Sequence, residues 1–327
     1  MSDNNGFRAM ILATDLADAL FEAFDTIAAT FKAWMQEHKE WQWIISADYA
    51  LRDPSRPGDC FAFTVMPYDK PLSAFEAEVN GTRLRDIKDS RELSDDQVSW
   101  LRDKRHFHFV FPINRDRKFF FEQGRLPREV AHECAKVIRD HFVAAGRHPD
   151  QLKRVNSLVE MTKSNGFNVG LYTDVTLLSL LFPLVTLLIR REQPSSRVFW
   201  FSDRDSMTTW GEGVLWDLAM ENLVGLSERF GLEYRGAPII GTPDTSGGAE
   251  VMWFDHYIRS ADWLAGSMAA WDREKNEWPD KAKYDRMIRD VIAESENAVF
   301  LPVSLSTDGV KIRRLVVDRT QGALGAR

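Results

Sequence analysis

The longest uncharged run of the chain, residues 175–189, constrains its fold more than any other feature. The run reads VTLLSLLFPLVTLLI, which is shorter than the roughly 18–20 apolar residues needed to span a bilayer. Asp174 precedes it, Arg190 follows it, and Pro183 is expected to break it in the middle. We therefore predict a helix buried on all sides within a protein core, and no membrane contact.

The amino-acid composition limits the classes of protein to which this chain could belong. The chain has 327 residues, enough for one large domain, and 44% of them are hydrophobic. Cys60 and Cys134 are too few for a disulfide framework, and the polar start MSDNNGF lacks the features of a secretory signal, so we expect a cytoplasmic protein. The net charge of −7 argues against a protein that coats nucleic acid. It leaves room for a metal-dependent nuclease, because such sites collect carboxylates and need only a local basic rim.

The hydrophobic periodicity changes along the chain as it does in α/β proteins. Residues 7–38 carry apolar side chains at helical spacing, which predicts one long helix within an N-terminal extension, residues 1–40. Residues 41–50 and 60–66 are aromatic and β-branched, and a turn-rich segment separates them, so we predict a hairpin.

The rest of the chain alternates between the helical pattern and the strand pattern. We predict one mixed α/β domain over residues 1–327, with flanking helices and a helical insertion at residues 125–192. Predicted helices cover residues 72–80, 94–104, 127–145, 150–163, 174–191, 212–230, 251–273 and 281–295; predicted strands cover 106–111, 197–202, 237–240, 299–303 and 311–317.

Aspartates stand at the ends or faces of apolar elements. Asp48 lies near the end of the first predicted strand, Asp203 and Asp205 follow a later one, and Asp262 lies within the last long helix. A carboxylate beside a buried strand is costly unless its charge is compensated. Several converging carboxylates would repel one another unless a divalent cation such as Mg²⁺ lay between them.

The helix around Asp262 has a pattern that supports this interpretation. Its apolar residues form one stripe, and Asp262 stands at the edge of that stripe. The small pair Ala265-Gly266 would let the helix approach the sheet closely, with Asp262 directed toward the strand ends.

Several segments resemble the DUF3800 family of RNase H-like proteins. Residues 257–266 (YIRSADWLAG) are similar to its closing helix, and residues 43–66 to its opening hairpin. Residues 87–90 (IKDS) resemble its short lysine-containing segment, and residues 198–206 (VFWFSDRDS) its later strand ending in Asp. The order of these segments agrees with the family along most of residues 41–272.

The resemblance implies an RNase H-like mixed sheet and a metal site. It makes Asp48, Asp203 and Asp262 the catalytic metal ligands for Mg²⁺ or Mn²⁺, with Asp205 as an alternate for Asp203. Lys88 becomes a candidate phosphate contact. The chain departs from the family where the first strand ends, because the family has Asp-Glu-Ser-Gly and this sequence has Asp48-Tyr49-Ala50-Leu51.

Structural explanations remain open for these residues. Asp203 and Asp205 could cap a helix beginning near Met207, and Asp262 could pair with Arg259. Lys88 lies in a charged run that is typical of a solvated helix face or turn.

For the other polar groups we also weigh structural roles against functional ones. His106 and His108 share one side of a strand, but without a third ligand we expect ordinary packing. Residues 242–248 read as a loop that could cover a substrate groove. Ser46, Ser202 and the cysteines lack a nucleophile motif.

Three functional hypotheses follow. The first is a Mg²⁺- or Mn²⁺-dependent nuclease that hydrolyses phosphodiesters of RNA or DNA. The second is a catalytically inactive RNase H-like subunit that binds a protein partner, or a second copy of itself, in a larger assembly; an antiviral defence setting would suit either. The third is a small-molecule binding protein with a pocket lined by the helix at residues 175–189.

Overall fold

The computed structural model describes residues 7–38, 40–241, 254–293, 295–317 and 324–326, with side chains from residue 13 to residue 317. The predicted loop at residues 242–248 lies outside these ranges, as do the first residues, 251–253, of the helix predicted at 251–273.

A mixed sheet forms the centre of the molecule. Its strands lie in the order β10-β9-β6-β3-β2-β1-β4-β5, with β7 and β8 attached beside β3. Among β1 to β5, only β2 runs opposite to the others. This α/β fold with an RNase H-like arrangement confirms the predicted fold class. The strands are β1 (Gln42–Ala50), β2 (Asp59–Pro67), β3 (Phe107–Ile113), β4 (Arg197–Ser202), β5 (Ile239–Gly241), β6 (Ala298–Phe300), β7 (Val303–Ser306), β8 (Gly309–Ile312), β9 (Leu315–Val317) and β10 (Leu324–Ala326).

Helices cover both faces of this sheet. Three of them, α5 to α7, lie between β3 and β4, in the range for which an insertion was predicted. The α-helices are α1 (Phe7–Asp25), α2 (Ala28–His38), α3 (Leu72–Thr82), α4 (Asp95–Leu101), α5 (Pro127–Ala144), α6 (Pro149–Thr162), α7 (Val169–Glu192), α8 (Ser206–Thr209), α9 (Val214–Arg229), α10 (Asp255–Ala270) and α11 (Ala282–Arg286). Shorter turns occur at Ile87–Asp89 and Trp210–Glu212, and a π-helical turn at Met287–Ile292.

Alternation along β1 divides the core in two. Trp43, Ile45 and Ala47 pack with the helices of one face, which include α1, α7 and α9. Ile44 points to the other face, where α10 lies across β1 and β2. Because side chains alternate along a strand, Asp48 belongs to the α10 face.

The N-terminal segment differs from its prediction as one long helix. Helix α1 ends at Asp25 and α2 starts at Ala28, with a turn between them. Phe24 packs edge-on against Phe109, and Phe31 packs edge-on against Phe107. The turn at residue 26 lets both aromatic side chains reach the same strand, so this segment forms part of the core.

Helix α7 continues through Pro183, contrary to the predicted break. A proline removes the N–H that would bond the carbonyl four residues earlier, which is that of Ser179. The side chain of Asn222 on α9 donates to this carbonyl instead, at 2.9 Å. Residues 169–192 form one helix that is long and apolar enough to cross a membrane. However, 94% of the 18-residue apolar segment of this helix is buried in the protein, as predicted.

A buried ion network connects the β1–β2 loop to the start of α7. The guanidinium group of Arg117 donates to Asp174 (2.5 Å) and to Asp59 (2.5 Å), and the side chains of all three residues are at most 3% exposed. Arg52 in the loop also donates to Asp174, at 2.5 Å. This network joins both ends of the β1–β2 loop to the helical layer.

Candidate active site

Two of the predicted aspartates lie at the ends of neighbouring parallel strands. In the register of β1 and β4, Ala47 pairs with Ser202, so Asp48 and Asp203 are the next residues along each strand. The N–H of Asp203 donates to the carbonyl of Ala47 at 3.0 Å, which extends this pairing beyond β4. Neighbouring strands are about 4.8 Å apart, and these two side chains fall on the same face.

Helix α10 brings the third aspartate to that face. Asp262 is buried, and its Oδ2 accepts a hydrogen bond from the N–H of Ile87 at 2.8 Å. Gly266, one turn later, leaves room for Ile87, because a Cβ at this glycine would lie 2.9 Å from the Ile87 Cδ1. We predicted that Gly266 lets α10 approach the sheet closely. Gly266 instead lies close to the turn at residues 87–89, which is outside the sheet.

The three carboxyl groups influence one another electrostatically. Burial raises the pKa of Asp48 well above its usual value, and the charges of Asp262 and Asp203 raise it further. The pKa of Asp262 is raised to about 7, mainly by burial and then by the charge of Asp86, although the Ile87 N–H and Arg259 lower it. Burial also raises the pKa of Asp203. These groups disfavour one another's ionisation, as carboxylates do when they share a site without a cation.

Asp86 is a fourth acidic residue of this region, which the sequence analysis missed. It precedes the turn at Ile87–Asp89 and caps that turn through the N–H of Lys88. Its charge raises the pKa of Asp48, Asp203 and Asp262. The sequence signal is the pair of apolar residues, Leu84 and Ile87, within an otherwise polar and charged run, which indicates that this run has a buried side.

The basic residues of the site compensate part of this negative charge. The Nζ of Lys88 is 2.8 Å from a carboxylate oxygen of Asp86, and its side chain is 73% exposed. Its pKa is raised by the bond to Asp86 and, to a smaller extent, by the charges of Asp203 and Asp262. Arg259, which the sequence offered as a partner for Asp262, lies 3.9 Å from Asp86.

Lys283 is the other residue of the region that sequence reasoning missed. Its side chain is buried, and its Nζ donates to the carbonyl of Ile87. Burial lowers the pKa of this amine, while the charges of Asp262 and Asp86 act in the opposite direction. No pattern in residues 281–293 distinguishes this lysine from the exposed lysines around it.

Asp205 has the capping role that we left open for it. Its Oδ1 accepts hydrogen bonds from the N–H of Met207 and from the hydroxyl of Ser206, both at 2.9 Å, at the start of α8. Its carboxylate is thus engaged locally, and a role for Asp205 in binding a metal stays a prediction.

His108 in β3 and His106 just before it are both buried, as expected for ordinary packing. His108 Nε2 donates to the carbonyl of Leu101 (3.0 Å), and its Nδ1 accepts from the hydroxyl of Thr64 (2.9 Å). Burial lowers the pKa of His108 to about 4 and that of His106 to about 3, so both rings are neutral. Cys60 and Cys134 are also buried, and burial raises the pKa of both thiols.

The carboxylate groups of these aspartates are suitable ligands for a hard divalent cation. Their side chains, however, do not lie close enough together to surround one. Carboxylate oxygens are the ligands that Mg²⁺ and Mn²⁺ prefer. Within the described ranges, no three His, Cys, Asp or Glu side chains lie close enough together to hold a metal ion. Asp48 Oδ1 accepts from the N–H of Tyr49 at 2.5 Å, and Asp262 Oδ2 accepts from the N–H of Ile87, so one oxygen of each carboxylate already has a backbone partner.

Comparison with protein-family models, with curated proteins and with solved structures finds no match. The resemblance to the DUF3800 family therefore rests on the segments quoted above and stays a prediction.

Proposed function

We propose that this protein is a metal-dependent nuclease that hydrolyses phosphodiester bonds of RNA or DNA. The observation that supports it most is geometric: Asp48 and Asp203 follow paired residues of neighbouring parallel strands, and α10, which carries Asp262, packs across β1. Carboxyl groups buried together at this cost are typical of sites that bind a cation or perform acid–base chemistry.

Each residue would have a distinct task. Asp48, Asp203 and Asp262 would hold Mg²⁺ or Mn²⁺, which when bound would supply an activated water and stabilise the leaving oxygen. Lys88, with an exposed ammonium beside the acidic residues, would contact a substrate phosphate. Asp86 would position Lys88 through their ion pair.

The decisive experiment measures cleavage of single- and double-stranded RNA and DNA by purified protein with Mn²⁺, Mg²⁺ or EDTA. We expect metal-dependent cleavage that is lost in Asp48→Asn and in Asp203→Asn. The matched control is Asp89→Asn, the same change at an exposed aspartate of the neighbouring turn, which should cleave like the wild type. Absence of cleavage of every substrate by the folded wild type would contradict the proposal.

A second candidate function is a catalytically inactive subunit of a larger assembly. Two observations favour it: Tyr49-Ala50-Leu51 stands where the related family has Glu-Ser-Gly, and the Asp48 carboxylate bonds to its neighbouring N–H. Thermal unfolding with and without Mn²⁺ distinguishes the two. A cation that binds the native state raises the melting temperature, and this increase should vanish in Asp48→Asn. The inactive subunit predicts no increase in either protein.

A further inference from the structure

A cavity of about 640 Å³ lies on the sheet face opposite the aspartates. Helices α1, α5, α7 and α9 form its walls, together with the segment at residues 119–120 that follows β3. Pockets that bury small molecules typically measure about 300–1,000 Å³, so this cavity is large enough for one.

Aromatic and aliphatic side chains form the inner surface of the cavity. Phe120 and Tyr172 are stacked with ring centres 4.8 Å apart, and Phe142 and Leu180 contribute further apolar surface. Such rings prefer to pack against other rings, either offset-stacked or edge to face.

Three polar side chains of the inner wall, those of Thr176, Ser179 and Asn222, are bonded within the protein. The hydroxyl of Thr176 donates to the carbonyl of Tyr172 at 2.8 Å, and that of Ser179 donates to the carbonyl of Thr176 at 2.8 Å. Asn222 donates both to the Ser179 hydroxyl and to its carbonyl. A ligand would therefore gain contacts by burying apolar surface rather than by hydrogen bonding to these hydroxyls.

Three charged side chains around the cavity, those of Arg147, Glu221 and Arg229, are also paired. Glu221 accepts from His141 at 2.6 Å and from Arg147 at 2.8 Å. Arg229 forms an ion pair with Asp18 at 2.5 Å. An anionic or cationic ligand would have to disrupt these pairs, whereas a neutral ligand would leave them intact.

We propose that this cavity binds a neutral, mainly apolar small molecule with an aromatic ring system. The proposal is independent of the nuclease proposal, since none of the residues around the cavity belongs to the α10 face. It gives the protein a second site, whose ligand would lie among α1, α5, α7 and α9.

The experiment uses N-phenyl-1-naphthylamine, a neutral aromatic probe whose fluorescence rises in apolar surroundings, with the full chain. Gly225 on α9 lies at the cavity wall, and a Cβ there would meet no atom within 4 Å, so Gly225→Phe can be accommodated. Thr176→Phe fills the cavity from α7. The matched control is Gly81→Phe, a glycine of α3 that also has no atom within 4 Å of an added Cβ.

We expect saturable binding of one probe per chain, weakened by about tenfold in Gly225→Phe or in Thr176→Phe, and unchanged in Gly81→Phe. Asp48→Asn should bind the probe like the wild type, which separates this site from the aspartates. The anionic analogue 8-anilinonaphthalene-1-sulfonate should bind more weakly than the neutral probe. Absence of saturable binding, equal binding by both cavity variants and the wild type, or tighter binding of the anion would overturn the proposal.

Discussion

The aspartates at the ends of β1 and β4 and on α10 reduce the stability of the folded protein. Asp48 and Asp262 are 8% and 9% exposed, and each retains a raised pKa even though its carboxylate accepts a backbone hydrogen bond. Burial opposes ionisation more strongly than these bonds favour it. Proteins commonly give up stability in this way at sites that perform chemistry.

Replacing Asp262 with asparagine should stabilise the protein at neutral and higher pH. The raised pKa means that the folded state binds this proton more tightly than the unfolded state between about pH 4 and pH 7. The stabilisation that comes from tighter proton binding in the folded state is fully present below about pH 4, and it is lost as the pH rises toward about 7. We expect Asp262→Asn to raise the free energy of unfolding by about 1–3 kcal/mol at pH 8, and by little at pH 4.

Urea unfolding of both proteins in EDTA across this pH range would measure the difference. The amide oxygen of the asparagine can still accept from the Ile87 N–H, so the change isolates the charge. The Asp89→Asn variant, at an exposed position, serves as the control. An Asp262→Asn variant that is less stable than the wild type at pH 8 would contradict the electrostatic account.

Sequence could identify only those residues of the site that follow regular elements. Asp48 stands out because it interrupts an apolar strand, Asp203 because it directly follows one, and Asp262 because it borders an apolar helical stripe. Asp86 and Lys283 belong to irregular or charged segments, and their positions depend on how Ile87 packs beneath α10. Long-range contacts of this kind leave no periodic pattern in the sequence.

At the scale of elements, α7 shows how one side chain from a neighbouring helix changes the effect of a proline. Sequence alone predicts a break at Pro183, because the carbonyl of Ser179 loses its helical partner. Asn222, 39 residues after the proline in the sequence (222 − 183), supplies the missing donor. The apolar run and its burial were predictable, but the uninterrupted helix was not.

Substituting Asn222 with leucine should therefore destabilise the protein. It removes the donor and leaves the Ser179 carbonyl buried without that partner, which we expect to cost about 1–3 kcal/mol. In a Pro183→Ala background, residue 183 regains its N–H, and the same substitution should cost less. A double-mutant cycle from thermal or urea unfolding measures this coupling. Equal costs in both backgrounds would show that Asn222 does not act through this carbonyl.

The other elements show where sequence patterns succeed. The strands that carry the site were located within one or two residues, because aromatic and β-branched runs are flanked by turn residues. The turn at residue 26 was missed, because the apolar spacing on both sides of it is compatible with one continuous helix. The contacts of Phe24 and Phe31 with β3 fix the position of this turn.

At the scale of the molecule, one sheet serves two cores. Trp43 and Ile44 are neighbours in β1, yet they belong to opposite cores. Arg117 pairs both with Asp174 of the helical layer and with Asp59 of the hairpin that carries Asp48. Because both cores pack against the same sheet, disruption of the sheet in one core also disrupts the other.

We therefore expect cooperative unfolding of both faces. Asp174→Asn breaks a buried ion pair and should lower the free energy of unfolding by about 3 kcal/mol. Hydrogen exchange followed by mass spectrometry should show that α7 and α10 lose protection by the same amount. The control is Asp53→Asn, whose ion pair with Arg56 is partly exposed and should matter by less than about 1 kcal/mol. Protection of α10 that persists after α7 has opened would indicate two independent units.

The spacing of the aspartates has a consequence for synthesis of the protein. Strands β1 and β4 can pair as soon as both have left the ribosome, but α10 is made later and carries Asp262. A nascent chain that has not yet docked α10 would have only part of its carboxylate set. The complete set of three carboxylates therefore forms only after translation has passed this helix.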